Sequence, residues 1–146
     1  CPYYNGFSNK SKNTRMIKLR LAALTQRGIR RKRENMSKKI VVIISTSDAG
    51  KARTGAMYAI NALKHGWMEE VKIIFFGPAQ DLLLVDEELQ VRVKEYQEID
   101  EAVVACKFIA DKDKKSEKLT KIGIQVEYVG EMISNYIHEG YVPMVW

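Results

Sequence analysis

This sequence predicts a three-layer α/β/α sandwich around a five-stranded parallel sheet, and three observations carry that prediction. Ile40-Val41-Val42-Ile43-Ile44 is continuously apolar and mostly β-branched, as a strand covered on both faces must be. Four more strand-length runs follow, separated by segments whose apolar residues recur at helical spacing, and such alternation builds a parallel sheet with helices on its faces. The last two runs carry edge marks: Ile124 to Tyr128 alternates apolar with polar, and Tyr141 to Val145 contains Pro143, which has no N–H to give a ladder. A buried first strand and two late edges fit the order 4-3-2-1-5.

In chain order, the first strand spans about 40–45, and Ser45-Thr46-Ser47-Asp48 after it offers helix N-caps. Ala56, Ala59, Ile60 and Leu63 place a helix over about 49–65, closed by His65 and Gly66. The second strand is 71–76, ended by Gly77-Pro78. Residues 79–100 read as two helical pieces, the first holding Leu82 to Val85, with Asp86 as the cap of the second. Ala102 to Cys106 is the third strand. A short helix follows to about Asp111, then a lysine-rich run, a capping signal at Ser116, and the fourth strand at 124–128. A helix over Glu131 to His138 and the fifth strand at 141–145 complete the pattern.

Charge divides the chain. Residues 1–35 hold ten Lys and Arg against Glu34 alone, whereas the remainder carries fourteen bases and seventeen acids, so the net +6 belongs to the first segment. Its composition, with one short apolar patch at Leu21-Ala22-Ala23-Leu24, cannot form a core, and residues 1–37 are expected to be a basic extension without a stable fold. Met36 directly precedes the first strand and is read as the natural initiator; the domain is residues 38–146. No apolar run approaches the roughly eighteen residues of a membrane span, so no membrane is expected as a partner. Interleaved aromatic and basic residues are absent from the domain, which argues against nucleic acid there. With only Cys1 and Cys106, no disulfide framework is implied, and a reducing cytoplasm suits this usage.

The chemistry centres on Cys106. It stands where the third strand hands over to a helix, at the sheet end where open α/β folds bind ligands. The first helical turn and Lys107 both favour thiolate over thiol, so Cys106 is the candidate catalytic nucleophile and Lys107 a candidate substrate-binding residue. The competing reading is a small buried hydrophobe, the usual fate of a free cysteine. There is no CxxC, no GxSxG and no metal-ligand spacing, so neither metal nor cofactor is expected. The loop after the first strand lacks the first glycine and the hydroxyl residue of a phosphate loop, but Ser45, Thr46, Ser47 and Lys51 beside a helix N-terminus suit a small anion. His65 and His138 fall in last helical turns, which alone explains them.

Lys39 to Thr46, Lys64-His65-Gly66, Phe75-Phe76-Gly77, Val104-Ala105-Cys106 and Glu139-Gly140-Tyr141-Val142-Pro143, in that order, resemble the DsrE/DsrF-like family over about residues 38–146. The resemblance implies a Rossmann-like domain in a homotrimer or homohexamer that handles sulfur inside the cell. It implies further that Cys106, the matching position, carries sulfur as a persulfide or thiosulfonate and exchanges it with a small TusA-like carrier protein. Whether that makes the chain a sulfurtransferase in the enzymatic sense is left open. The absence of a resolving cysteine argues against a dithiol oxidoreductase and suits a one-thiol carrier. The alternative is a non-catalytic oligomeric module of the same fold that binds a ligand or partner, with Cys106 filling space.

Overall fold

A computed structural model describes residues 9–34, 38–99 and 102–146, and within the first of these ranges the side chains of residues 14–28. Cys1 and Met36 lie outside the described residues, as do the side chains of Arg30 to Arg33. The chain divides into two units, Cys1–Met36 and Ser37–Trp146.

In the first unit, Asn9–Glu34 is a helix of 26 residues, α1. The sequence reading places no helix there. Composition rules out a core, but a helix needs none: Lys, Leu, Arg, Ala and Gln dominate Lys18 to Arg27, and all are strong helix formers. The described side chains of α1 are accordingly all exposed.

The second unit holds the sheet: β1 (Lys39–Ile44), β2 (Glu70–Phe75), β3 (Val104–Cys106), β4 (Gln125–Glu127) and β5 (Val142–Val145). All pairings are parallel and the order is β4-β3-β2-β1-β5, as the sequence predicts. β3 starts two residues later than expected and β4 is trimmed at both ends, because these strands pair over only a few residues.

Between them run α2 (Ala49–Lys64), α3 (Ala79–Val85), α4 (Glu87–Ile99), α5 (Lys107–Lys112), α6 (Ser116–Lys121) and α7 (Val129–His138). Asp48 caps α2, its carboxylate accepting from the Lys51 N–H at 2.8 Å. Asp86 caps α4 in the same way through Leu89 N–H, and also accepts from the Nε–H and an Nη2–H of Arg53 in α2, joining the two helices. Ser116 does not cap α6; its hydroxyl donates to the Asp111 carboxylate instead. Gly77, at φ +64°, makes the turn that sends the chain from β2 into α3, a backbone state that a side chain would strain.

The sheet separates two apolar clusters. Ile40, Val42 and Ile44 of β1 with Ile73 and Phe75 of β2 face the larger one, filled by Ala56 and Ile60 of α2, Leu83 of α3, Leu89 and Val93 of α4, and Leu119 of α6. Alternate residues Val41, Ile43, Ile74, Val104 and Cys106 face the smaller one, where Val129 and Tyr141 are buried and Ile109, Met132, Ile133 and Tyr136 pack around them. Among the described residues, only α5 and α7 contribute helical side chains to this second cluster. The period of two within each strand thus puts the thiol on the thinly covered face.

Candidate functional site

β3 ends on Cys106, whose extended backbone (φ −66°, ψ 115°) makes it the N-cap residue of α5. Its side chain makes no capping hydrogen bond; it packs with Val41, Ile43, Ile74 and Val104 and is 5 % exposed. Cys106 is the free cysteine among the described residues, so no second thiol stands in reach there. The register pairs it with Glu127, and the ends of β2 and β4 flank it.

Three exposed aromatic residues follow the ends of β2, β3 and β4. Phe76 follows β2, Phe108 lies in the first turn of α5, and Tyr128 follows β4; they are 38 %, 68 % and 62 % exposed.

Lys107 does not reach toward the sulfur's apolar cluster. Its Nζ lies 3.0 Å from Asp111 Oδ2, one helical turn on, and 6.0 Å from the centre of the Tyr128 ring. The hydrogen bond to Asp111 holds its pKa above the ordinary lysine value, so it stays a cation. Asp111 is in turn held below the usual carboxylate range by the Ser116 hydroxyl and by Lys107. The i, i+4 spacing of Lys107 and Asp111 is a signal the sequence carries.

The other predicted binding residues are brought to the end of β1, two strands and roughly 10 Å from β3. Ser45 is tied to the carboxyl-terminal strand: its N–H and hydroxyl both point to the Trp146 carbonyl, at 2.8 and 3.4 Å. Thr46 Oγ1 accepts the Asp48 N–H at 3.0 Å. Ser47 and Lys51 are exposed, but Asp48 occupies the Lys51 N–H and places its own carboxylate at the start of α2, where an incoming anion would be repelled. Ser47 instead rims an open groove of about 810 Å³ between α3 and α6, with Pro78, Asp81, Leu82, Ile122 and Lys118. Cys106 does not line that groove.

Sequence reasoning missed Gln80. It is fully buried in α3, and its Nε2 donates to the Cys106 carbonyl at 3.0 Å and to the Phe75 carbonyl at 3.4 Å. The Cys106 carbonyl is the last of β3, beyond the paired residues of the β2–β3 ladder, and the amide satisfies it. Nor was Lys115 singled out. From the residue before α6 it bridges Asp81 of α3 and Asp113, with a side chain only 14 % exposed. His65 stacks on Trp67 just past α2, as a structural histidine does.

Among the described residues no group of three or more His, Cys, Asp or Glu is arranged to hold a metal, and no helix is long and apolar enough to cross a membrane. No family model matches this chain, and no curated protein does. Among solved structures, a conserved protein of unknown function from Bacteroides thetaiotaomicron, BT1422, is similar. It is 24 % identical, spans 74 % of this chain and 95 % of its own, and superposes with a TM-score of 0.64. At that identity the likeness extends to the fold.

Proposed function

We propose that residues 38–146 act as a sulfane-sulfur carrier of the DsrE/DsrF-like kind, with Cys106 as the acceptor. The carrying observation is the thiol's place: the last residue of a central-side parallel strand, at the sheet end that α/β folds use for ligands, with no described thiol to resolve it. In the simplest step the Cys106 thiolate attacks the outer sulfur of a persulfide, R–S–SH. A new S–S bond forms, the old one breaks, and the R–S group leaves as a thiolate. Nothing is oxidised or reduced overall, and the same exchange run outward delivers the sulfur. Burial supports this reading in one respect, since a carried persulfide shielded from stray thiols survives until delivery. Phe76, Phe108 and Tyr128 give a protein partner, such as a TusA-like carrier, an aromatic surface next to the sulfur. Oligomerisation and an intracellular, reducing location belong to the same proposal.

One observation favours the second reading, an oligomeric binding module with a structural Cys106. The thiol lies among aliphatic side chains and Lys107 is engaged with Asp111, which is the surrounding of an inert cysteine. Intact-mass analysis after incubation with a persulfide donor, thiosulfate or tetrathionate decides between them. The carrier gains one adduct per chain, mapped to Cys106 and missing from Cys106→Ser. A folded wild type that stays unmodified at Cys106 with every donor leaves the binding module as the reading.

A further inference from the structure

We propose that the open groove between α3 and α6 binds a small amphipathic anion, whose apolar body lies along α3 and whose carboxylate head meets the lysines of α6. The groove holds about 810 Å³, within the range of small-molecule sites. Ser47, just past β1, and Pro78, just past β2, border it, so it reaches the carboxyl ends of the strands, where open α/β folds take ligands. The site is separate from Cys106. Its apolar floor, Leu82, Leu84 and Ile122, packs against the larger cluster, whereas the thiol belongs to the smaller one across the sheet.

The two walls differ in kind. Val85, three residues past Leu82 on α3, is 76 % exposed, so the apolar wall continues out of the core into solvent. Its length, seven helical residues at about 1.5 Å each, is close to that of a ten-carbon chain. On the α6 side, Lys115, Lys118 and Lys121 recur every three residues, and all three line the groove. The acids of the groove, Asp81 and Asp113, are both engaged by Lys115. Lys118 has no carboxylate partner among the described residues. Lys121 has an exposed one outside the groove, Glu117 at 3.5 Å, and a surface pair of that kind contributes little. An anionic head is therefore attracted at Lys118 and Lys121, three and six residues on from the Asp81–Lys115–Asp113 cluster. In that cluster two carboxylates outweigh one ammonium and hold the head away, so the field orients the ligand as well as attracting it.

Calorimetric titration of the full chain with decanoate, decylamine and butyrate tests the proposal, with Lys118→Glu and Val85→Asp beside the wild type. Both positions are exposed, so neither change touches the core. The wild type should bind one decanoate per chain saturably, and each variant should weaken that binding roughly tenfold. Butyrate is too short for the apolar wall and decylamine has the wrong sign, so neither should bind detectably. Absence of saturable decanoate binding below roughly 1 mM overturns the proposal, and so does equal binding of decylamine. Affinity that is unchanged in either variant places the ligand elsewhere, the basic helix α1 included, and overturns it too. If decanoate fails and Val85→Asp instead dissociates an oligomer seen by sedimentation, the groove is a contact between copies and not a ligand site. The result is independent of the sulfur-carrier reading, because Cys106 takes no part in the groove.

Discussion

Gly55 of α2 lies directly against the Trp146 indole: a Cβ built at position 55 would stand 2.7 Å from Cγ and 2.9 Å from Cδ1 of that ring. No real side chain tolerates such an approach. The ring cannot easily retreat, since its backbone is held on both sides, the Trp146 N–H by the Ile43 carbonyl and its own carbonyl by the Ser45 N–H. Gly55→Ala is therefore expected to destabilise the domain. Overpacking of this kind costs about 1–3 kcal/mol, and the helix-propensity gain of about 1 kcal/mol for replacing glycine by alanine offsets part of it. Urea denaturation checks the sign, and a variant more stable than wild type would show that the ring moves freely.

At the opposite end of the sheet, Tyr141 donates its hydroxyl proton to Glu70, which also pairs with Lys39 at 2.9 Å. The Tyr141 and Lys39 bonds hold Glu70 below its ordinary value of 4.5. Burial and the Glu70 carboxylate push Tyr141 well above its ordinary 10.0. The two signs are opposite. Glu70 contributes stability that is present above its unfolded pKa and drains as acid carries the pH down through the folded one. Tyr141 contributes stability that is present below its unfolded pKa and drains as the pH climbs past it. Tyr141→Phe should remove the alkaline loss and shrink the acid one. Urea midpoints measured from about pH 3 to about pH 11 would run parallel for the two proteins if this were wrong.

Self-association is the third expectation, and the structure moves its origin. Tyr141 is buried within its own chain, and Met144 and Trp146 pack against the larger cluster, so the terminal residues do not form an exposed patch. What stays exposed is Val142 and Val145 on edge strand β5 and Ile137 on α7, at 51 %, 67 % and 48 %. An apolar edge strand is a surface that a second copy covers. Sedimentation should show an oligomer that Val145→Lys weakens; a monomer at micromolar concentration would remove the claim.

Strand order and the place of Cys106 are both legible in the sequence, because each follows from patterns of period two and from edge marks such as Pro143. The thiol's surroundings are not. Lys107 adjoins Cys106 in the chain, yet a lysine's direction is set by its best partner, and that is Asp111 one turn away. Gln80 is hidden for a different reason: a polar letter reads as surface, and its burial follows from two strand-end carbonyls that lie 5 and 26 residues away. The helix Asn9–Glu34 escaped because arguments from composition address whether a core can form, while helical propensity is local.

The pairing of β1 with β5 sets the order in which this domain can be completed during synthesis. β1 precedes the other strands of this sheet in the chain and lies between β2 and β5, so one of its edges stays open until residues 142–145 emerge. That open edge is Ile40 to Ile43, the most apolar stretch of backbone in the sheet. A chain truncated after Glu139 and released would hold β2, β3 and β4 beside a β1 with one unpaired, apolar edge. The last four strand residues act as a closing seal, and a chain released without them is left with a template for aggregation.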